Sequence, residues 1–373
     1  MTCEVVRYRP ELRPGVIALQ RHLVSPDPAL NDAYFRWKHE QNPYTDEPVV
    51  YVALAGGEVA GMRGFLGARW QLGNSDATAR WRCACDLVVD PAHRRAGLVR
   101  RIMEFALADL AEREPAQPVL NWSANPITYG ASLRSGWRLV APYAPWSRRT
   151  ARERIARALA RRARRWPLGW RFADAAARVA LHRGFGALER EWSAHKRPDG
   201  ITLVAEARPD AMADLVRRNR SPLVGHVRDA TYYRWRFRNP LCDYRFLYRD
   251  ESDLRGFVVL QLARGADAAA VNLVDWEAAT PEILDAMIEA LVEIPGYDAL
   301  STWTATIPRS AMETLQRRAF ACFDDSRGSP GYEPGLLAIG PAGSDVRRSA
   351  APEAALLASA ERWQFRMAYS DFY

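Results

Sequence analysis

The chain has 373 residues, a length that predicts two domains, each large enough to bury its own core. Its composition, 48% hydrophobic and 26% charged, is ordinary for a folded soluble protein. The net charge of +8, carried almost entirely by arginine, favours anionic partners such as CoA, sugar nucleotides or nucleic acid. Five scattered cysteines, an odd number, indicate reduced thiols and not a disulfide framework. The lack of a signal peptide or a membrane-spanning apolar run predicts a cytoplasmic protein.

The first 90 residues predict a strand, two helices and then a set of paired strands. A strand at Glu4–Tyr8 precedes a helix at Val16–Leu23, and Asp32 is placed to cap a second helix, Ala33–Gln41. Two β-rich runs around Gly56-Gly57 predict a hairpin, and a third run is expected to pair with it. These runs are Val49–Ala55, Val59–Leu66 and Ala79–Val89.

The stretch after the third run has the features of an anion-binding turn. Asp90-Pro91 ends the strand, because proline has no N–H to donate, and the apolar spacing from Leu98 onward predicts a helix. The turn between them holds Arg94, Arg95 and Gly97. The free N–H groups and the dipole at the helix start favour a phosphate there, and the glycine would let the backbone approach it closely.

Two strands and one helix complete the first half. Val119–Trp122 and Arg138–Ala141 are the predicted strands. Asn125 is placed as the helix N-cap before Pro126, and Gly136 is placed to end that helix.

The next segment, Ser147–Phe185, is rich in arginine and alanine. Both residues are good helix formers, so helical connectors are expected. A solvated arginine face is the favoured interpretation. The alternative is a phosphate-binding or RNA-binding face, in which arginines lie near stacking aromatic rings such as Trp166 and Trp170.

From Ile201 the pattern of the first half begins again. Tyr34-Phe35-Arg36-Trp37-Lys38 before Asn42-Pro43 has a counterpart in Tyr232-Tyr233-Arg234-Trp235-Arg236 before Asn239-Pro240. The elements that follow also correspond, which predicts a tandem repeat. They are a hairpin at Tyr244–Tyr248 and Gly256–Leu262, a strand at Ala269–Asp275, a helix at Pro281–Val292, a strand at Ala299–Trp303 and a helix at Ile307–Arg318.

Two motifs of the first half resemble those of the GNAT acyltransferase superfamily. The turn resembles the acyl-CoA signature Arg/Gln-x-x-Gly-x-Gly/Ala, with Arg94 and Gly97 in place and Val99 as a departure. The segment from Asn125 to Gly136-Trp137 is similar to the second motif of the family. Its tyrosine stands at Tyr129 here, whereas many members carry it where Ser132 stands.

The resemblance implies an α/β (α+β) fold with two GNAT-like domains in tandem, each a mixed, mainly antiparallel twisted sheet flanked by helices. The aromatic C-terminus resembles the endings of tandem GNAT-like proteins of polysaccharide biosynthesis. It is expected either to pack on its own domain or to close the substrate site. The expected divisions are a catalytic GNAT domain at 1–147, a helical connector at 148–200, a degenerate GNAT-like domain at 201–340 and a tail at 341–373.

The resemblance also implies roles for single residues. Tyr129 is the candidate general acid, with Ser132 as the other position for it. Asp86 is the candidate base or amine-binding carboxylate, with a pKa raised by burial; the alternative is a structural ion pair, for example with an arginine. Arg36, Trp37 and Lys38 would receive the acceptor, or else simply pack. The acyl-CoA residues would be Leu87, Val88, Val89, Arg94, Arg95, Gly97, Leu98, Val99, Arg100 and Asn125.

The implied function is acyl transfer from acetyl-CoA or another acyl-CoA to the amine of a small molecule, such as an amino sugar, with no metal. In the second half, Glu277 and Glu282 would repel a pyrophosphate, so only the first half is expected to bind acyl-CoA. One alternative is a Fem-type transferase that uses aminoacyl-tRNA, against which the Arg94-x-x-Gly97 turn argues. Another is a non-catalytic CoA-binding module. Nucleic acid is otherwise not expected as a partner, and the sequence does not fix the oligomeric state.

Overall fold

The computed structural model describes residues 3–73, 76–115, 117–123, 126–151, 154–155, 158, 184–195, 199–263, 270–294, 296–322, 334–346 and 354–370. They form two sheets flanked by helices, which confirms the predicted fold class. The strands are β1 (Cys3–Arg7), β2 (Val50–Ala55), β3 (Glu58–Leu72), β4 (Thr78–Val89), β5 (Val119–Ser123), β6 (Arg138–Pro142), β7 (Pro145–Arg149), β8 (Ile201–Val204), β9 (Val224–His226), β10 (Cys242–Asp250), β11 (Leu254–Ala263), β12 (Ala270–Ala278), β13 (Ala299–Trp303), β14 (Ala321–Cys322) and β15 (Gly335–Ile339).

Helices pack around both sheets. They are α1 (Arg13–Leu19), α2 (Pro28–Phe35), α3 (Leu98–Arg113), α4 (Pro126–Arg134), α5 (Gly184–Ala194), α6 (Pro209–Arg218), α7 (Ala230–Arg236), α8 (Pro281–Glu293), α9 (Arg309–Arg317) and α10 (Ala354–Leu357). None of these described helices is both long and apolar enough to cross a membrane.

The two sheets have the same plan. The first runs β1-β2-β3-β4-β5-β15-β6, with β9 added at the end of β3, and the second runs β14-β7-β13-β12-β11-β10-β8. One pair of central strands in each sheet, β4 with β5 and β12 with β13, is parallel; the other described pairings are antiparallel. The repeat that the sequence predicts from Ile201 is therefore present as a repeated sheet.

Each half gives one strand to the sheet of the other half. β7 follows the first half along the chain but lies between β13 and β14, whereas β15 lies between β5 and β6. The division expected at residue 147 therefore cuts through β7, and the division expected at residue 340 assigns β15 to the second half although it lies in the first sheet.

The prediction of a helical connector is wrong at its first residues, because Arg148 and Arg149 lie in β7. The Arg148 side chain donates to the Val292 carbonyl at 2.8 Å and to the Tyr297 hydroxyl at 2.6 Å, and strand pairing outweighs the helical propensity of arginine. Most of the remaining connector lies outside the described residues; its last part is α5.

The predicted cap of the second helix is also wrong. Asp27 is the N-cap: its Oδ1 accepts the Ala29 N–H at 2.9 Å, and Pro28 opens the helix. Asp32 lies inside α2, where it pairs with Arg13 and Arg36. The helix continues as a π-helical turn over Arg36–Glu40.

The two copies of the repeated motif meet between the halves. Trp37 and Trp235 stack with ring centroids 5.4 Å apart, and each indole N–H donates to the carbonyl of the other tryptophan at 2.9 Å. Around this pair lies one buried aromatic cluster drawn from both sheets and from the C-terminal segment. The halves therefore share a core instead of packing as separate units.

Candidate functional site

The central strands of the first sheet separate beside the predicted anion-binding turn. β4 and β5 pair over two positions along their described lengths, Arg82 with Val119 and Cys83 with Leu120. β4 continues to Val89 while it remains paired with β3 on its other edge. Beyond Cys83, the edge of β4 that faces β5 has no strand partner among the described residues, and this edge includes Leu87–Val89, the strand residues predicted to contact the cofactor. We call this separation of β4 from β5 the opening.

The turn that follows has the backbone geometry of an anion cradle. Pro91–His93 form a single 3-10 turn, and Arg95 and Gly97 then adopt φ angles of +70° and +69°. Gly97 is the N-cap of α3, and the left-handed conformation explains a glycine at this position. The first helical hydrogen bond here runs from the Arg101 N–H to the Gly97 carbonyl, so the N–H groups of 98–100 lie at the open helix start.

The charged side chains of this turn point outward. Arg94, Arg95 and Arg100 are exposed, and Arg100 is 3.6 Å from Glu104. Leu98 is buried in the core, so it offers only its backbone, whereas the Val99 side chain is 42% exposed. Asn125, the last predicted cofactor residue, lies outside the described residues.

Asp86 lies at a bulge in β4, just before the free edge. It has a φ angle of +48°, which is strained for a residue other than glycine, and the register with β3 shifts at this point. The element that contacts Asp86 is the π-helical turn, and a π-helical turn is another irregularity that is frequent at functional sites. Two departures from regular geometry thus meet at one buried carboxylate.

The carboxylate of Asp86 is held by three side chains of the first half. Lys38 Nζ donates to Oδ1 at 2.8 Å, His39 Nε2 lies 2.8 Å from Oδ2, and the Tyr34 hydroxyl lies 3.3 Å from Oδ1. Lys38 is fully buried and Asp86 is 7% exposed. Burial alone would raise the pKa of Asp86, but Lys38 and His39 together hold that pKa well below its ordinary value.

This arrangement corrects the expected electrostatics of Asp86. The predicted rise of its pKa is wrong, and the ion pair is with a lysine, not with an arginine. Sequence reasoning did not connect Lys38 or His39 with Asp86, because the residues are 48 and 47 positions apart and no local pattern joins them. The signal available in the sequence was an aspartate within an apolar strand, together with a single lysine in the first half that could balance its charge.

His39, Cys85 and Asp86 also place three ligand-type atoms within 4.8 Å of one another. A metal cation there would lie beside the ammonium group of Lys38, 2.8 Å from Asp86. Lys38 already balances the charge of the carboxylate, so the local charge opposes a cation.

The three predicted acceptor residues have different surroundings. Arg36 is exposed and pairs with Asp32. Trp37 and Lys38 are buried, with Trp37 held by Trp235 and Lys38 by Asp86. Only Arg36 among them is therefore open to solvent.

Tyr129 lies on α4 and is 5% exposed. It belongs to the core cluster that contains Ala84 of β4 and Leu98 of α3, so it shares a core with the strand and helix that flank the turn. Ser132, the other candidate for the acid, is half-buried on the same helix.

The corresponding opening in the second sheet is covered. β12 and β13 pair over three positions, ending at Asn272 and Ser301, and the C-terminal segment 363–370 packs on β12 beyond them. Arg366 Nε donates to the Trp276 carbonyl at 3.2 Å. The Phe365 N–H donates to Thr306 Oγ1 at 2.9 Å, so the segment bridges β12 and the turn after β13.

Glu277 does not lie in the second-half turn, where the sequence places it. It belongs to β12, is buried, and pairs with Arg228 at 2.5 Å. The expected repulsion of an anion by Glu277 is therefore corrected, because the arginine balances its charge. Glu282 lies in the first turn of α8, after Pro281.

The comparisons with known proteins agree with this geometry. Residues 21–140 match the family model of the acetyltransferase (GNAT) domain. A probable N-acyltransferase from Enterococcus faecalis V583 is 13% identical, with a TM-score of 0.56 and coverage of 92% of this chain and 73% of that one. A GCN5-related N-acetyltransferase from Anabaena variabilis is 10% identical, with a TM-score of 0.57 and coverage of 91% and 72%.

A third similar structure is that of a tandem protein. It is a tandem GNAT protein from the clavulanic acid biosynthesis pathway, 14% identical, with a TM-score of 0.53 and coverage of 91% of this chain and 99% of that one. At these identities the three structures show a common fold. The search of curated proteins found no match. Residues 21–140 therefore match the acetyltransferase (GNAT) domain, and the chain shares the fold of these structures, with two GNAT-like sheets in tandem.

Proposed function

We propose that this protein is a GNAT-type N-acyltransferase that binds acyl-CoA, most simply acetyl-CoA, in its first half and transfers the acyl group directly to the amine of a small molecule such as an amino sugar. The observation that carries the proposal is the separation of β4 from β5 beside the turn that starts α3. The first sheet offers an open strand edge and a cationic helix start together. In the second sheet the matching opening is covered.

Each part of the cofactor has a proposed set of contacts in this half. Pantetheine amides would pair with the free backbone edge of Leu87–Val89. The pyrophosphate would bind the open N–H groups at 98–100 and the side chains of Arg94, Arg95 and Arg100. Asn125 remains a proposed contact from the sequence motif.

The chemistry needs an amine nucleophile and a proton donor for the leaving group. The amine lone pair attacks the thioester carbon, a C–N bond forms, the nitrogen releases a proton to solvent, the C–S bond breaks, and the thiolate takes up a proton from a general acid that solvent then reprotonates. We assign that proton to the hydroxyl of Tyr129, which shares a core with Ala84 and Leu98 beside the opening.

We assign Asp86 to positioning, not to base catalysis. A carboxylate whose pKa lies far below the working pH accepts protons poorly, and both of its oxygens are engaged by Lys38 and His39. The ion pair would instead hold the strained bulge that directs the strand edge into the opening. An amine that arrives unprotonated has to lose a proton only after it has attacked the thioester.

The test is turnover of acetyl-CoA by the full chain with a panel of small amines, followed as thiol release, together with native mass spectrometry of the purified protein. We expect a copurifying acyl-CoA and thiol release that depends on the amine. Bound CoA without turnover of any amine would support the non-catalytic alternative, and turnover only with aminoacyl-tRNA would support the Fem-type alternative.

A further inference from the structure

The opening in the first sheet has a closed end, where the last residues of β4 and β5 to pair are Cys83 and Leu120. The proposed contacts of the cofactor begin with the pyrophosphate at the turn and continue along Leu87–Val89 towards this end. The acyl group is the part of an acyl-CoA that lies farthest from the pyrophosphate. It would therefore point to the closed end of the opening.

Asn121 is the first residue of β5 beyond the last pair. On its other edge β5 pairs with β15, where Leu337 lies opposite Asn121. Because side chains alternate along a strand, Asn121 points to the same face of the sheet as Val119, whose core cluster includes Ala84, Leu337 and Tyr129. Asn121 therefore lies at the closed end of the opening, on the side of the sheet that carries the proposed acid.

The side chain of Asn121 is a polar group in apolar surroundings. Asn121 is 9% exposed, whereas Ala84 and Leu337, on the strands to either side, are 3% and 0% exposed. Its amide makes no hydrogen bond to any described residue, yet it keeps accessible surface, unlike the unpartnered polar atoms that are sealed inside the protein. Since both neighbouring strands are closed around it, a partner for this amide reaches it through the opening.

The chemistry of the amide limits what it can bind. It presents both a donor and an acceptor, and a hydroxyl group complements both because it also donates and accepts. A hydrocarbon chain would cover the amide without bonding to it. A charged group would be buried there without a counter-charge, because the nearby charged residues of β4 are already paired, Arg82 with Glu114 and Asp86 with Lys38.

We propose that the acyl group carries a hydroxyl, which bonds to the side-chain amide of Asn121. This inference rests on the proposed function, because it names the acyl group of the same acyl-CoA. Asn121 determines specificity: it contacts the acyl chain and exchanges no proton with the reacting atoms. Acetyl-CoA would still bind through the turn and the strand edge, but without this bond.

The binding test is calorimetry on the full chain with two matched pairs of acyl-CoA. In each pair a methyl group replaces the hydroxyl: glycolyl-CoA is compared with propionyl-CoA, and each enantiomer of 3-hydroxybutyryl-CoA with 3-methylbutyryl-CoA. We expect the hydroxyacyl member of at least one pair to bind about tenfold more tightly. Succinyl-CoA, which carries a carboxylate, should bind more weakly than that member. No preference for a hydroxyl in either pair, or a preference for succinyl-CoA, overturns the proposal.

Substitution of Asn121 then locates the bond. Asn121→Leu keeps the branching of the side chain but removes its polar atoms, so the preference for the hydroxyacyl group should disappear while the melting temperature holds or rises. Asn121→Ala adds no bulk and takes its place if the leucine variant does not fold. Ser301 follows the first two pairs of β12 and β13 as Asn121 follows those of β4 and β5, so Ser301→Ala is the matched control and should keep the preference. A preference that survives in a folded Asn121 variant refutes the assignment.

The same titrations separate this inference from the proposed function. If none of the acyl-CoA molecules binds, the proposed function fails and the inference fails with it. If they bind with equal affinity and acyl transfer to an amine is observed as thiol release, the proposed function stands and only the assignment of the hydroxyl is refuted. If the hydroxyacyl-CoA binds preferentially but no amine is acylated, the specificity of Asn121 is supported and the transfer reaction is refuted.

Discussion

Left-handed backbone conformations occur on either side of the same strand end in the first half. Asp86 has a φ angle of +48° before Leu87–Val89, and Gly97 has a φ angle of +69° after them. Glycine adopts this conformation without strain, whereas aspartate needs support. That support is the buried contact with Lys38 and His39, which links the strand to the π-helical turn.

The turn leads to a prediction about cofactor binding. Arg94→Glu and Gly97→Asp each put a carboxylate where the pyrophosphate would bind, so both should weaken the Kd for acetyl-CoA by about 30-fold or more, measured by calorimetry. Aspartate tolerates the left-handed conformation better than most residues, so Gly97→Asp should still fold. Arg309→Glu, at a second-half arginine whose side chain is 94% exposed, is the control and should bind normally. Unchanged affinity in both turn variants would contradict the assignment.

The acid assignment gives a second prediction. Tyr129→Phe should lower kcat by about 10²–10⁴-fold with a much smaller effect on the KM for acyl-CoA, because the hydroxyl matters when the thiolate leaves. Ser132→Ala on the same helix is the comparison. A normal Tyr129→Phe enzyme with a crippled Ser132→Ala enzyme would move the acid to the other position.

The buried ion pair between Lys38 and Asp86 gives a third prediction. Asp86→Asn or Lys38→Met alone leaves one buried charge without its partner and should lower the free energy of unfolding by about 3–5 kcal/mol. The double variant removes both charges and should recover most of that stability. Because Asp86 acts by positioning, the double variant should also recover measurable acetyl transfer; a stable but fully inactive double variant would restore Asp86 as the base.

The direction in which stability changes with pH follows from the lowered pKa of Asp86. The folded state holds Asp86 ionised to lower pH than the unfolded chain does. The pair therefore stabilises the fold above the ordinary aspartate pKa of about 3.9, and this contribution is lost as the pH falls below it. Urea unfolding from pH 7 to pH 3 should show this loss in the natural protein and not in the double variant.

At the scale of elements, the exchanged strands decide how the halves depend on each other. Without β15, β5 and β6 would expose unpaired edges, and without β7 the same holds for β13 and β14. Unpaired edges promote aggregation. Fragments 1–165 and 166–373 made separately should therefore be insoluble, whereas coexpression should give a soluble complex, measured by copurification through a tag on one fragment. A folded, monomeric fragment 1–165 would contradict this.

The elements were largely predictable because their signals are local. The hairpin around Gly56-Gly57, the helix after the arginine turn and the strand Ala299–Trp303 follow from turn residues and apolar spacing, and the structure confirms them. The exchange of β7 and β15 was not predictable, because pairing between strands distant in sequence leaves no local pattern. The partners of Asp86 were missed for the same reason. The prediction of Asp32 as a cap overlooked Asp27-Pro28, which is the stronger signal for a helix start.

Across the whole molecule, the two halves repeat a fold but differ at the cofactor opening. The first opening has a left-handed glycine at the helix start and exposed arginines around it. The second has Thr280 and Pro281 at the helix start, so one N–H is missing where a phosphate would bind. The C-terminal segment also lies on β12, through Arg366 and Phe365.

We therefore expect one acyl-CoA per chain, bound in the first half. The repeat makes two sites conceivable, but the second opening lacks a free helix start and is covered by residues that are nearly fully buried, Arg366 at 2% exposure and Phe365 at 3%. Calorimetric titration of the full chain with acetyl-CoA should give a stoichiometry of one, and Arg94→Glu should remove that one event. A stoichiometry of two, or one binding event of normal affinity that survives in Arg94→Glu, would place a working cofactor site in the second half.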